Sequence, residues 1–347
     1  MDRGQDVYRT SRHLVQLARG NQTHGGQPRR SGQVRDTDYW YESMKVSTRN
    51  EYDRLRSVLV GSVENFSWPK GDVEFDQGIS RSTYPETLQN IIPNPKVLSE
   101  AADDLEQLST ILQDRDVEVY RPTTTGAHWS YSARDILLTA GNKVIQCPTP
   151  FSSRADEMDL YPSLSQADCE IIRAPRPVTD SDPIFDAANV LKLGDKLLYS
   201  LSHSANEAGA DWLQQQVGTD FEVIKWRVVN HSITHIDSTL LSLAKDTIMI
   251  NASRVKDHQL PAFMKDYKKI WVEDVVPRNF DQFPYASKWI GMNVLSVDPD
   301  TVIVDDVQTG LIKNLRSHGF QIITMSMRQS RTLGGGFHCV TNDLERE

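Results

Sequence analysis

Val294-Leu295-Ser296-Val297 and Val302-Ile303-Val304 are two short apolar runs joined across the turn Asp298-Pro299-Asp300. Runs rich in β-branched residues on either side of such a turn predict a β-hairpin. A helical pattern from Val307 to Leu315 follows, and then a further strand pattern, Phe320-Gln321-Ile322-Ile323. The unit reads strand–strand–helix–strand.

Outward from this stretch the hairpin recurs three more times. Ile136-Leu137-Leu138 and Lys143-Val144-Ile145 flank Gly141-Asn142; Val190-Leu191 and Leu197-Leu198-Tyr199 flank Gly194-Asp195. Leu240-Leu241-Ser242-Leu243 and Thr247-Ile248-Met249-Ile250 flank Lys245-Asp246. Helical patterns ending in a strand also run from Leu98 to Leu112, before Val117-Glu118-Val119, and from Ala208 to Val217, before Phe221-Glu222-Val223-Ile224. Val58-Leu59-Val60 begins a fifth copy. A unit of this size cannot bury its apolar face alone, so repeats must close around a common axis. The expected class is α/β, a five-bladed pseudosymmetric α/β propeller of ββαβ-type units. A doubly wound sheet would alternate single strands with helices and lack the hairpins. Propellers gather their functional loops at one mouth of the axis, where residues at unit starts converge.

The chain has 347 residues, 38% hydrophobic, 24% charged and 8% aromatic. That balance excludes a disordered chain, a collagen-like repeat and a disulfide-stapled miniprotein. No run approaches the ~18 apolar residues of a membrane span, and the mean hydropathy is -0.48, so no membrane partner is expected. The net charge of -9 argues against a nucleic-acid partner. The cysteines, Cys147, Cys169 and Cys339, form no CxxC pair; free thiols in a reducing, cytoplasmic setting are the simplest reading. From Met1 to Arg35 there are seven arginines against two acidic residues. Residues 1–44 therefore read as a flexible or atypical extension, with a transit peptide or an overlong start as alternatives. Residues 45–347 read as a single catalytic domain.

Cys339 ends the stretch Leu333-Gly334-Gly335-Gly336-Phe337-His338-Cys339. The glycines allow close backbone approach, and a thiolate there is a candidate nucleophile if a neighbour lowers its pKa; a small buried hydrophobe is the alternative. In an extended segment His235 and Asp237 project to one face, a pairing suited to proton transfer. Asp186 and Asp135 each stand just before a hairpin strand, where carboxylates from equivalent units meet and can hold a guanidinium by paired, charge-assisted hydrogen bonds. Strand or turn capping is the alternative for each. His128, His203, His231 and His338 lack fixed ligand spacing, so no metal site is expected. Neither GxGxxG nor GxxxxGK[ST] occurs, leaving nucleotide cofactors without support.

These motifs resemble those of the arginine:glycine and inosamine-phosphate amidinotransferases of the guanidino-group-modifying, or pentein, superfamily. The carriers are Phe185-Asp186-Ala187-Ala188-Asn189-Val190, His235-Ile236-Asp237-Ser238-Thr239 and Ser330-Arg331-Thr332-Leu333-Gly334-Gly335-Gly336-Phe337-His338-Cys339, in the family's order. Arg134-Asp135-Ile136-Leu137, Asn251-Ala252-Ser253-Arg254 and Ser287-Lys288-Trp289-Ile290-Gly291-Met292-Asn293 match as well. The resemblance runs from about Val46 to Cys339 and implies the same five-bladed fold.

It also implies a ping-pong transfer. Cys339 attacks the central guanidinium carbon of L-arginine, ornithine leaves, and an acceptor amine discharges the amidino-cysteine. His235 would act as acid and then base, with Asp186 orienting it and binding the guanidinium. Asp135 and Asp237 would hold the other guanidinium nitrogens, and Arg254, with Ser287 nearby, the donor's α-carboxylate. No cofactor is implied, and a homodimer is. Relative to the family the chain is short between Arg121 and Arg134, after Ala174-Pro175-Arg176-Pro177, and beyond Cys339, which predicts a more open mouth and a larger acceptor amine. The rival expectation is a deiminase or guanidino hydrolase working through the same cysteine-bound intermediate.

Overall fold

The computed structural model describes residues 44–68, 92–123, 129–228, 234–281 and 285–347, all within one compact unit, Ser43–Glu347. Apart from Met44, which is buried, the expected N-terminal extension lies outside the described residues. Along the chain run β1 (Leu55–Val60), α1 (Pro95–Gln113), β2 (Glu118–Tyr120), β3 (Leu137–Ala140), β4 (Lys143–Gln146) and β5 (Glu170–Arg173). Then come β6 (Val190–Leu193), β7 (Lys196–Ser200), α2 (Glu207–Val217), β8 (Glu222–Trp226), β9 (Leu240–Ala244), β10 (Thr247–Asn251) and β11 (Lys268–Val272). The chain closes with β12 (Leu295–Asp298), β13 (Thr301–Asp305), α3 (Thr309–Ser317), β14 (Gln321–Met325), α4 (Ser330–Leu333) and β15 (Thr341–Arg346).

These strands form five three-stranded sheets: β3-β4-β5, β6-β7-β8, β9-β10-β11, β12-β13-β14 and β15-β1-β2. In each, an antiparallel pair carries a third strand added in parallel to its middle strand. The four hairpins lie where the apolar runs predict them. Gly141 and Gly194 turn at φ 61° and 76°, the left-handed conformation that two-residue turns demand. The fifth sheet differs in its chain connection, because the partner of β1 is β15, so that Val58 opposes Asp343.

The helix of the expected unit is present in only three of the five. Short 3-10 segments stand between β4 and β5 and between β10 and β11. Where helices do form, their local signals are plain. In α1, Asn94 Oδ1 accepts from the Val97 amide at 3.0 Å and Pro95 fills the first turn. Val97, Ala101, Leu105, Leu108 and Leu112 fall on one buried stripe. Fully burying such a side chain contributes about 1.5–3 kcal/mol.

The first strands of the sheets neighbour one another, four of the pairs through polar groups. Lys192 Nζ of β6 donates to Thr139 Oγ1 of β3 at 3.0 Å, and Thr139 Oγ1 donates to the Asp343 carbonyl of β15 at 2.7 Å. Arg346 of β15 donates to the Ser296 carbonyl of β12 at 2.8 Å, and Ser296 Oγ to the Leu243 carbonyl of β9 at 3.4 Å. Strands β6 and β9 share one apolar core through Leu191, Leu193, Leu240 and Leu241. No helix among the described residues is long and apolar enough to cross a membrane.

Candidate active site

Backbone hydrogen bonds between the segments that precede successive first strands bring the candidate residues to one end of these sheets. The Ala187 amide donates to the Asp135 carbonyl at 2.6 Å, and the Ile236 amide to the Ala188 carbonyl at 3.0 Å. The Arg134 amide donates to the Cys339 carbonyl at 3.1 Å, and the Phe337 amide to the Asn293 carbonyl at 3.0 Å. Side chains widely separated in sequence thereby share a small volume.

Cys339 lies in the turn just before β15. Its amide donates to Asn293 Oδ1 at 2.9 Å, and its thiol to Asp237 Oδ2 at 3.2 Å. Burial, with the negative charges of Asp237 and Asp135, pushes the thiol well above its ordinary pKa. The glycines ahead of it serve packing within the chain. A Cβ on Gly336 would stand 2.7 Å from Asn293 Cβ, and Gly334 sits at φ 84° with Tyr285 2.2 Å from any added Cβ.

His235 retains 19% side-chain exposure. Its Nε2 meets Asp186 Oδ2 at 3.0 Å, and its Nδ1 faces Asp135 Oδ1 at 3.8 Å. Burial opposes the imidazolium, but Asp135, the hydrogen-bonded Asp186 and Asp237 outweigh it and push His235 up to about 9. The other oxygen of Asp186 accepts from Thr149 Oγ1 at 2.7 Å. The two unit-start carboxylates thus meet around one imidazole.

One expectation needs correction. Residues 236–239 bend and turn ahead of β9 instead of extending, so His235 and Asp237 diverge: His235 faces Asp186 and Asp135, while Asp237 faces Cys339 and His338. The carboxylate that contacts the His235 ring comes from another unit.

Asp135 Oδ2 accepts from Arg154 at 2.7 Å, whereas its buried Oδ1 has no hydrogen-bond partner among the described residues. Arg254 donates from one nitrogen to Ser238 Oγ at 3.0 Å and Thr239 Oγ1 at 2.8 Å. No carboxylate among the described residues pairs with it. Ser287 is exposed and caps the 3-10 turn Lys288–Met292, accepting from the Trp289 amide at 3.3 Å. No cluster among the described residues has the ligands of a metal site. His128, His231 and residues 124–128, part of the stretch between Arg121 and Arg134 where the chain was expected to be short, lie outside the described residues.

Sequence reasoning missed several groups. Arg154 clasps Glu157 with two nitrogens, at 2.9 and 2.8 Å, as well as Asp135. His338 stands between Asp237 Oδ2 at 3.1 Å and Glu51 Oε2 at 2.9 Å. Thr149 and Asn293 hold Asp186 and Cys339. His338 and Asn293 had a signal, as members of the glycine–cysteine motif and of the Ser287–Asn293 motif; Glu51, Arg154 and Thr149 have no local pattern that marks them.

Five three-stranded sheets thus bring a cysteine, a histidine and carboxylates to one end, the arrangement implied by the motifs' resemblance to guanidino-modifying enzymes. None of the protein-family models matches the chain, but known proteins do. An inosamine-phosphate amidinotransferase from Streptomyces griseus is 35% identical, over 87% of this chain and 97% of the relative. The solved structure of inosamine-phosphate amidinotransferase StrB1 from that organism superposes with a TM-score of 0.82 at 34% identity, covering 87% and 97% of the two chains. SxtG, an amidinotransferase from Microseira wollei in the saxitoxin biosynthetic pathway, gives 0.78 at 28% identity over 87% and 97%. The chain belongs to the amidinotransferase family and is a transferase.

Proposed function

We propose that the protein transfers the amidino group of L-arginine through a covalent Cys339 intermediate to an acceptor amine in guanidino-compound or natural-product biosynthesis. The observation that carries the reading is the unpartnered, buried Asp135 Oδ1, facing His235 in a site that also holds Asp186 and Asp237. A buried carboxylate oxygen without a donor calls for one, and a planar guanidinium supplies several N–H groups in a fixed fork. The positive charge it brings also offsets the carboxylates that hold the thiol protonated.

In the first half-reaction the Cys339 sulfur bonds to the guanidinium carbon and the bond from that carbon to the side-chain nitrogen breaks. His235, protonated beside Asp186, gives its proton to the departing amine. As the sulfur bonds, the thiol proton is released to solvent, so this half leaves the amidino-thioether, ornithine and a neutral His235. In the second half an acceptor amine attacks the same carbon, neutral His235 takes its proton, the carbon–sulfur bond breaks, and the departing thiolate regains a proton from solvent. Arg254, which pairs with no carboxylate among the described residues, is suited to the donor's α-carboxylate, with Ser287 at the rim.

The five sheets are read as blades of one pseudosymmetric propeller, supported by the polar links and shared core between their first strands. The three cysteines are free, which supports a reducing, cytoplasmic setting. A homodimer follows from family likeness. The test is intact-mass spectrometry after arginine is added. The expected result is an amidino adduct on Cys339, released ornithine, and discharge of the adduct by hydroxylamine or one member of an amine panel. Citrulline and ammonia formed without any acceptor would replace transfer with deimination.

A further inference from the structure

His338 is sealed, at 4% exposure, and each of its ring nitrogens faces a carboxylate oxygen: Nδ1 faces Asp237 and Nε2 faces Glu51. A neutral imidazole has one N–H and would turn a lone pair on the other carboxylate; only the imidazolium donates to both. The residue is fixed from behind as well, since Arg134 Nε donates to its carbonyl at 2.7 Å. On the far side of Asp237 Oδ2 stands the Cys339 thiol, at 3.2 Å. A continuous chain therefore runs Cys339–Asp237–His338–Glu51, extended by Arg134, which lies 3.6 Å from Glu51 and 3.0 Å from Asp343.

We propose that His338 is a positioning residue, a locked imidazolium that keeps Asp237 ionised and holds its Oδ2 on the Cys339 sulfur and the bound guanidinium. The proposal rests on the reading that Cys339 is the nucleophile. The two histidines then do different work, since partly exposed His235 moves a proton whereas buried His338 keeps its own. The charged groups facing His338 are Glu51 from the segment before β1, Asp237 from the segment before β9, and Arg134 from the segment before β3. Burial and Arg134 disfavour its proton, the two carboxylates favour it, and the balance raises its pKa. Asp237 is pushed up by burial, yet the His338 hydrogen bond and the charges of His338 and His235 hold it well below the usual carboxylate range. Glu51 is likewise raised by burial but brought below its ordinary value by His338, Arg134 and Lys192. Without the imidazolium, Asp237 would stay buried beside the Cys339 thiol with less to keep it charged, and would take up a proton.

The test compares H338N with H338Q, reading ornithine release against pH. An Asn amide stands near the Nδ1 position and still donates to Asp237; a Gln amide reaches toward Glu51 and abandons Asp237. H338Q is expected to lower kcat about a hundredfold, the scale of one charge-assisted hydrogen bond, and H338N to lose less than a tenth as much. In both, loss of the cation moves the acid limb of kcat/KM to higher pH, because Asp237 then protonates more readily. E51Q keeps the ring and moves the limb the same way by less, and it decides the matter if neither His338 variant folds. Equal losses in H338N and H338Q with an unmoved acid limb mean a packing role and overturn the proposal, as does an unmoved limb in E51Q. If arginine forms no adduct on the unmodified protein, the proposed function falls with it; a normal adduct with indifferent variants sinks this inference alone.

Discussion

Arg154 donates to Asp135 Oδ2 at 2.7 Å while its other edge is held by Glu157, leaving Asp135 Oδ1 directed toward His235. Arg154, Asp135 and Glu157 are all buried. Burial pushes Glu157 up to about 7 against the pull of Arg154. One cation therefore compensates two carboxylates and fixes which oxygen of Asp135 remains available to a ligand.

R154A removes that cation and strands two buried carboxylates. The expected loss is about 3–5 kcal/mol of stability, the cost of breaking a buried pair from one side, read from denaturant midpoints. E157Q leaves the Asp135 contact and is expected to lose much less. Equal losses in the two variants would contradict the assignment.

The pH dependence of ornithine release follows from His235. Its pKa is raised from 6.5 to about 9, so the acid form that the proposed transfer requires dominates at neutral pH. The single-turnover rate with arginine is expected to be level around neutrality and to fall as pH rises through about 9. The same sign governs stability: a raised pKa stabilises the fold fully below about 6.5, and that contribution is lost as pH climbs through about 9. Melting curves of the native chain and H235N should converge toward about pH 10; parallel curves would show that the imidazolium is not stabilised.

D186N keeps the size of the side chain but removes the charge beside His235 Nε2. Its turnover is expected to fall by about 10²–10⁴, the usual contribution of positioned acid–base catalysis, with the alkaline limb moved to lower pH because His235 loses its proton more easily. An unmoved limb would mean that Asp186 does not act through His235.

Arg254 is tested by a pair of donors. R254Q is expected to weaken use of arginine by about 10–100-fold in kcat/KM, matching ~1.5–3 kcal/mol for a hydrogen bond to a charged group. Agmatine, which lacks the α-carboxylate, should be affected little. The same loss with both donors would place the α-carboxylate elsewhere.

Much of the scaffold was legible because its determinants are local. Gly141 and Gly194 turn the chain within two residues, and the apolar spacing from Leu98 to Leu112 marks a helix. The pairing of β1 with β15 was not legible, since nothing near Leu55–Val60 announces a partner at Thr341–Arg346. Nor were the 3-10 segments that replace a helix in two units, where Arg154 and Glu157 enter the site.

For the site, a place just before an apolar strand marked Asp135, Asp186, His235 and Asp237 as candidates, and the glycine run ahead of it marked Cys339. Sequence adjacency could not decide which would touch. His235 and Asp237 are two positions apart and turn to different partners, whereas His338 and Glu51 are 287 positions apart and share a hydrogen bond. Local backbone preferences act over a few residues and set the hairpins; the partners of each charge depend on how separate sheets pack and exclude water. The chain's own order therefore determined the repeat and its reactive groups, and packing alone decided which carboxylate meets which imidazole.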